Sequence, residues 1–124
     1  MTTNPTSVEP VREALDRADG LAAEEALPHL REASDRLTAL IDESMAAAVL
    51  SGKASLRSAG AQAGLSENAV GPRLARTATL GAYANDEGRV TAAAVERAKY
   101  DHESGSPKPA PPAAPLRFKP RRST

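Results

Sequence analysis

The chain is 124 residues long and carries 16 Lys/Arg against 16 Asp/Glu, so its formal net charge at pH 7 is zero. Without cysteine it has no disulfide framework, no thiolate metal site and no cysteine nucleophile. Without tryptophan and with only 2% aromatics, its core must be built from Leu, Ile, Val and Ala, which is thin for one small domain with tails and gains from burial against a second copy.

No apolar run approaches eighteen residues and no leader-like segment opens the chain, so we expect neither membrane spanning nor secretion. The Ala- and Arg-rich usage resembles that of high-GC bacterial, phage or plasmid genes, which points to a cytoplasmic location in the bacterial cytosol or nucleoid. The charges are unevenly spread. Residues 1–52 hold 4 Lys/Arg against 10 Asp/Glu, residues 53–100 hold 7 against 4, and residues 101–124 hold 5 against 2. The net balance therefore turns positive at Lys53 and stays so to the end.

Residues 1–7 read as a disordered N-terminus. Val8, Val11, Leu15 and Ala18 fall at helical spacing up to Gly20, and Leu21 to Leu27 read as a further helical turn or two. Pro28 suits the first turn of the longest helix, 28–51, which Ser51-Gly52 would end. Along it Leu30, Ala33, Leu37, Leu40, Ile41, Ser44, Met45 and Ala48 form one stripe, with Arg31, Glu32, Asp35, Arg36, Asp42 and Glu43 elsewhere. Two readings stand side by side: a coiled-coil seam for a homodimer through helix 28–51, or the domain's own core.

Residues 55–74 organise the rest. Ser55 is a candidate N-cap for a short helix carrying Leu56, Ala59, Gly60 and Ala63 on one face. Gly64 suits the left-handed residue that closes a helix, and Ser66 is a second candidate N-cap before Glu67-Asn68-Ala69-Val70. Gly60 and Ala63 are small enough for a close helix crossing, with Leu65, Val70 and Leu74 filling the corner. Gly71-Pro72 interrupts the second helix, where Pro72 cannot bond the Asn68 carbonyl; either a kink or a split at Val70 follows.

After Leu80, Asn85 to Gly88 reads as a turn and Arg89-Val90 as a short extended stretch or loop. Thr91 is a candidate N-cap for a last helix, Ala92 to about Tyr100, with Ala94, Val95 and Ala98 inward. Tyr83 and Tyr100 read as aromatics at the edge of the core. Residues 102–124 read as a disordered Pro-rich basic tail, a candidate contact for a protein partner.

Leu56, Ala59, Gly60, Ala63, Gly64, Leu65, Ser66, Val70 and Leu74 resemble, in that register, the helix-turn-helix of lac-repressor-type and resolvase-type DNA-binding proteins. The resemblance spans about twenty residues. It implies that the second helix enters the major groove of double-stranded DNA, with Glu67, Asn68 and Ala69 facing base edges. By the same register Ser66, Arg73, Arg76 and Thr77 would hold phosphates, while Lys53 and Arg57 approach the backbone from the first helix. Arg89 would make a wing-like contact to a neighbouring groove, or else be an ordinary loop arginine.

No catalytic constellation emerges: His29 and His102 lack ligand-spaced partners, and no glycine loop is placed to cradle phosphate. The expectation is a small all-α domain of four to five helices with a central helix-turn-helix and disordered termini. Its expected activity is sequence-specific DNA binding by a dimeric transcriptional regulator or phage or plasmid accessory factor, with neither enzymatic activity nor a cofactor. The alternatives are a protein–protein adaptor, of anti-repressor or antitoxin-like kind, and a non-specific nucleoid-type DNA binder.

Overall fold

The structure, a computed structural model, describes residues 5–105; the remainder of the expected tail, 106–124, and residues 1–4 lie outside them. Five helices follow in order: α1 (Glu9–Ala18), α2 (Ala23–Leu50), α3 (Leu56–Gln62), α4 (Glu67–Leu74) and α5 (Ala92–Ser104). A 3₁₀ turn, Gly81–Tyr83, lies between α4 and α5, and no strand occurs among the described residues. The protein is a small all-α domain. None of these helices is long and apolar enough to cross a membrane.

The expected break at Pro28 does not occur: α2 starts at Ala23 and runs through the proline. Pro28 deprives only the Glu24 carbonyl of its helical partner, in an exposed stretch at the helix start where water can serve it. Glu24 and Glu25 complement the positive end of the helix dipole there, and Ala26 is buried. Together these hold the first turn that the proline leaves unsupported.

α1 folds back on α2, and the pair buries alanines: Ala14 and Ala18 from α1, Ala26 and Ala33 from α2. Arg17 and Arg36 both donate to Glu32 Oε2, at 2.9 and 2.8 Å, and the Arg17 bond ties α1 to α2. Further along, α2 turns a different face inward. Met45, Ala46 and Val49 meet Ala59 of α3, Val70 and Leu74 of α4, Leu80, Tyr83 and Val90 of the connecting segment, and Val95 and Ala98 of α5. The expected stripe is thus divided. Ala33 and Met45 are buried, but Leu30 and Leu37 are 44% and 45% exposed, because the two halves of α2 are covered from different sides.

Asp42, expected off the apolar stripe, is instead buried within the inward row of α2. Tyr83 is buried and donates to Asp101 at 2.9 Å; burial, then that hydrogen bond, push its phenol above the ordinary tyrosine range. Tyr100, also expected at the core edge, is exposed. Thr91 caps α5 by accepting from the Ala94 amide at 3.2 Å, as its sequence position suggests. That helix ends at a left-handed Gly105, so any tail begins later than residue 102.

Candidate nucleic-acid interface

α3 and α4 form a tightly specified corner. Ser55 and Ser58 make a reciprocal capping box at the start of α3: each side-chain oxygen accepts from the other's backbone amide, at 3.0 and 2.9 Å. The end of α3 is equally well defined. Gly64 lies in the left-handed region, Leu65 N–H donates to the Gly60 carbonyl at 2.8 Å, and Gly64 N–H donates to the Ala61 carbonyl at 3.1 Å. This is the Schellman arrangement, and it sends Leu65 toward the core. Where α3 crosses α4, Gly60 faces Val70 Cγ2 so closely that a Cβ at residue 60 would overlap it.

Ser66 takes the extended backbone expected of an N-cap, but its side chain makes no capping hydrogen bond. Ser66, Glu67 and Asn68 stand exposed at the leading end of α4, with Ala69 half-buried behind them. Arg57 of α3 reaches across to Glu67, Nη2 to Oε1 at 3.4 Å, with both side chains largely in solvent. A pair this exposed contributes little and opens readily.

The split expected as one outcome at Val70 does not occur, since α4 is one helix from Glu67 to Leu74 with the proline inside it. The Asn68 carbonyl that Pro72 cannot serve accepts from Arg89 Nη2 at 3.1 Å. Val90 N–H, next along the chain, donates to the Gly71 carbonyl at 3.1 Å. Gly71 makes this possible, because a Cβ there would come within 3.3 Å of the Val90 carbonyl oxygen and 3.4 Å of Arg89 Cβ. The segment is itself held by Asn85, whose Oδ1 accepts from the amides of Glu87 and Arg89. The Arg89 side chain thus supplies the one hydrogen bond that Pro72 denies α4, and the Val90 amide adds to a Gly71 carbonyl that already accepts from Ala75 N–H.

The remaining site residues divide. Arg73 turns toward α2 and donates from Nε to Asp42 Oδ1 at 2.6 Å, with side chains 20% and 9% exposed. Thr77 is buried; its hydroxyl donates to the Leu74 carbonyl at 2.6 Å and accepts from the Leu80 amide at 3.0 Å. These hydrogen bonds occupy a hydroxyl expected on phosphate and place it away from the surface. Arg76 is exposed, beside a shallow pocket of about 300 Å³ walled by Asp35, Thr38, Asp42 and Glu43. Lys53 is exposed just ahead of α3, in a pocket it shares with Ser55, Ser58, Glu96 and Lys99.

The structure therefore brings Arg57, Ser66, Glu67 and Asn68 together at one end of the corner and sends Arg73, Arg76 and Thr77 toward α2. Two contributors, Asp42 and Glu43, were missed at the sequence level. Glu43 accepts from the Ala78 amide at 2.6 Å and from the Thr79 hydroxyl at 3.1 Å, fixing the chain after α4. Their signal was present: Asp42 shares an inward face with Met45, Ala46 and Val49, where a carboxylate needs a partner. No known protein family, curated protein or solved structure matches the chain.

Proposed function

We propose that the α3–α4 corner binds double-stranded DNA sequence-specifically, as a transcriptional regulator or a phage or plasmid accessory factor in the bacterial cytosol or nucleoid. The observation that carries this reading is the exposed Ser66-Glu67-Asn68 end of α4, projected from a corner whose crossing is fixed by Gly60 and whose turn is fixed by Gly64. In this reading Asn68 pairs with adenine, Glu67 accepts from cytosine after releasing Arg57, and the Ala69 methyl meets thymine. Lys53, Arg57 and the Ser66 hydroxyl serve phosphates, and Arg76 adds a weaker contact because carboxylates surround it. Arg73 and Arg89 have a different part, shaping α4 from behind through Asp42 and the Asn68 carbonyl.

The reading is tested by anisotropy titration against a pool of duplex fragments at two salt concentrations, followed by sequencing of the retained fragments. Saturable, salt-weakened binding that enriches one site supports it. Asn68→Ala should then relax the preference at one base pair, while Lys53→Ala should weaken all duplexes alike and lower the salt slope by about one. Binding without enrichment, or no binding at low salt, overturns it.

A further inference from the structure

The hairpin of α1 and α2 buries alanines and shows leucines, the reverse of what a free-standing helix pair gains from. Leu27, Leu30, Ser34, Leu37, Ile41, Ser44 and Ala48 alternate three and four residues apart, the spacing of a seam between two helices. Leu27 is 63% exposed, and Leu30 and Leu37 nearly half. The row begins with two large residues, Leu27 and Leu30, and ends with two small ones, Ser44 and Ala48. Beside the small end runs an apolar groove of about 300 Å³, with Leu37, Ile41, Ser44 and Ala48 on one wall and Ala59 and Ala63 of α3 on the other.

We infer that a second copy of this chain occupies the groove, with the two α2 helices antiparallel about a two-fold axis near Leu37. In that arrangement Leu30 of each copy meets Ser44 of the other, and Leu27 meets Ala48, so large side chains enter the space that small ones leave. Contact of this kind is self-complementary and closes at two copies. Charge selects the same direction. The antiparallel pair sets Glu24 and Glu25 beside the other copy's 51–53 end, where Lys53 begins the positive part of the chain. A parallel pair would stack Glu24 and Glu25 on themselves. The inference does not depend on DNA binding.

Sedimentation equilibrium of the full chain tests it. The mass should rise with concentration from 12.9 kDa toward twice that value. Leu30→Glu, at a half-exposed position, should keep its helical circular dichroism while raising the dimer dissociation constant by roughly 100-fold or more, since the two-fold repeats each loss. Because the chain has no cysteine, single substitutions report the direction. Leu37→Cys should cross-link to itself. Leu30→Cys should not, lying about 21 Å along the helix from the residue it would face in a parallel pair, but it should cross-link to Ser44→Cys when the two variants are mixed. Full chain altered at Leu116 and Phe118 to serine should still pair. A monomer at every concentration, self-cross-linking of Leu30→Cys, or loss of pairing in the tail variant overturns the inference.

Discussion

Arg89 Nη2 lies 3.1 Å from the carbonyl oxygen of Asn68, the α4 acceptor that Pro72 leaves without its helical donor. A residue that the sequence suggested as a groove contact is thereby committed to backbone on the far side of a turn. Removing the guanidinium leaves the carbonyl to water, so Arg89→Ala should lower stability by about 1 kcal/mol. Pro72→Ala restores the missing N–H, and in that background Arg89→Ala should cost much less. Urea unfolding of the four variants measures the coupling; equal costs in both backgrounds would show that Arg89 stabilises by some other route.

Gly60→Ala reverses the usual rule. In most helices that change stabilises by about 1 kcal/mol, but here the new methyl overlaps Val70 Cγ2. We expect a loss of about 1–3 kcal/mol, largely recovered by adding Val70→Ala. A thermal midpoint equal to or above wild type for the single variant would contradict the close crossing.

Asp42→Asn leaves the mostly buried Arg73 cation without its counter-charge. Full burial would set the cost at about 3–5 kcal/mol; the residual exposure of Arg73 brings it to about 2 kcal/mol. Replacing both residues with apolar ones, Asp42→Leu with Arg73→Met, should recover much of the loss. In a DNA-binding assay, Arg73→Ala should act through unfolding and show no change in salt slope. A lowered slope with unchanged stability would mean that Arg73 reaches phosphate.

Glu32 carries the one acid-range prediction. Hydrogen bonds from Arg36 and then Arg17 hold its carboxyl below the usual glutamate value. A folded value below the unfolded one gives stability that is present above the unfolded pKa and is lost as pH falls through the lowered folded value. Glu32→Gln should therefore melt slightly below wild type at neutral pH, and the two should converge in acid as the carboxylate protonates. The gap should be small, because the carboxylate is solvent-exposed. A gap that widened in acid would reverse the sign.

What could be read in the sequence was the chemistry that acts within a few residues. Ser55, Gly64 and Thr91 each announce a helix end through their own side chain or lack of one, and the structure has those ends. Pro28 misled because its local penalty is outweighed by Ala26 packing on a helix eight residues upstream, which periodicity does not show. The links Asp42–Arg73 and Asn68–Arg89 span 31 and 21 residues, so only the fold brings them together. The division of the leucine stripe has the same origin, since which face of α2 is covered depends on what packs on it.

α2 passes through two separate patches of buried side chains, one made with α1 and one with α3–α5, and little but its own backbone joins them. In an isolated copy the two ends of one helix are therefore unequal in free energy. The alanine patch can open as a cooperative unit of its own while Leu74, Leu80 and Val49 stay shut, so amide hydrogens along a single helix should exchange at two distinct rates.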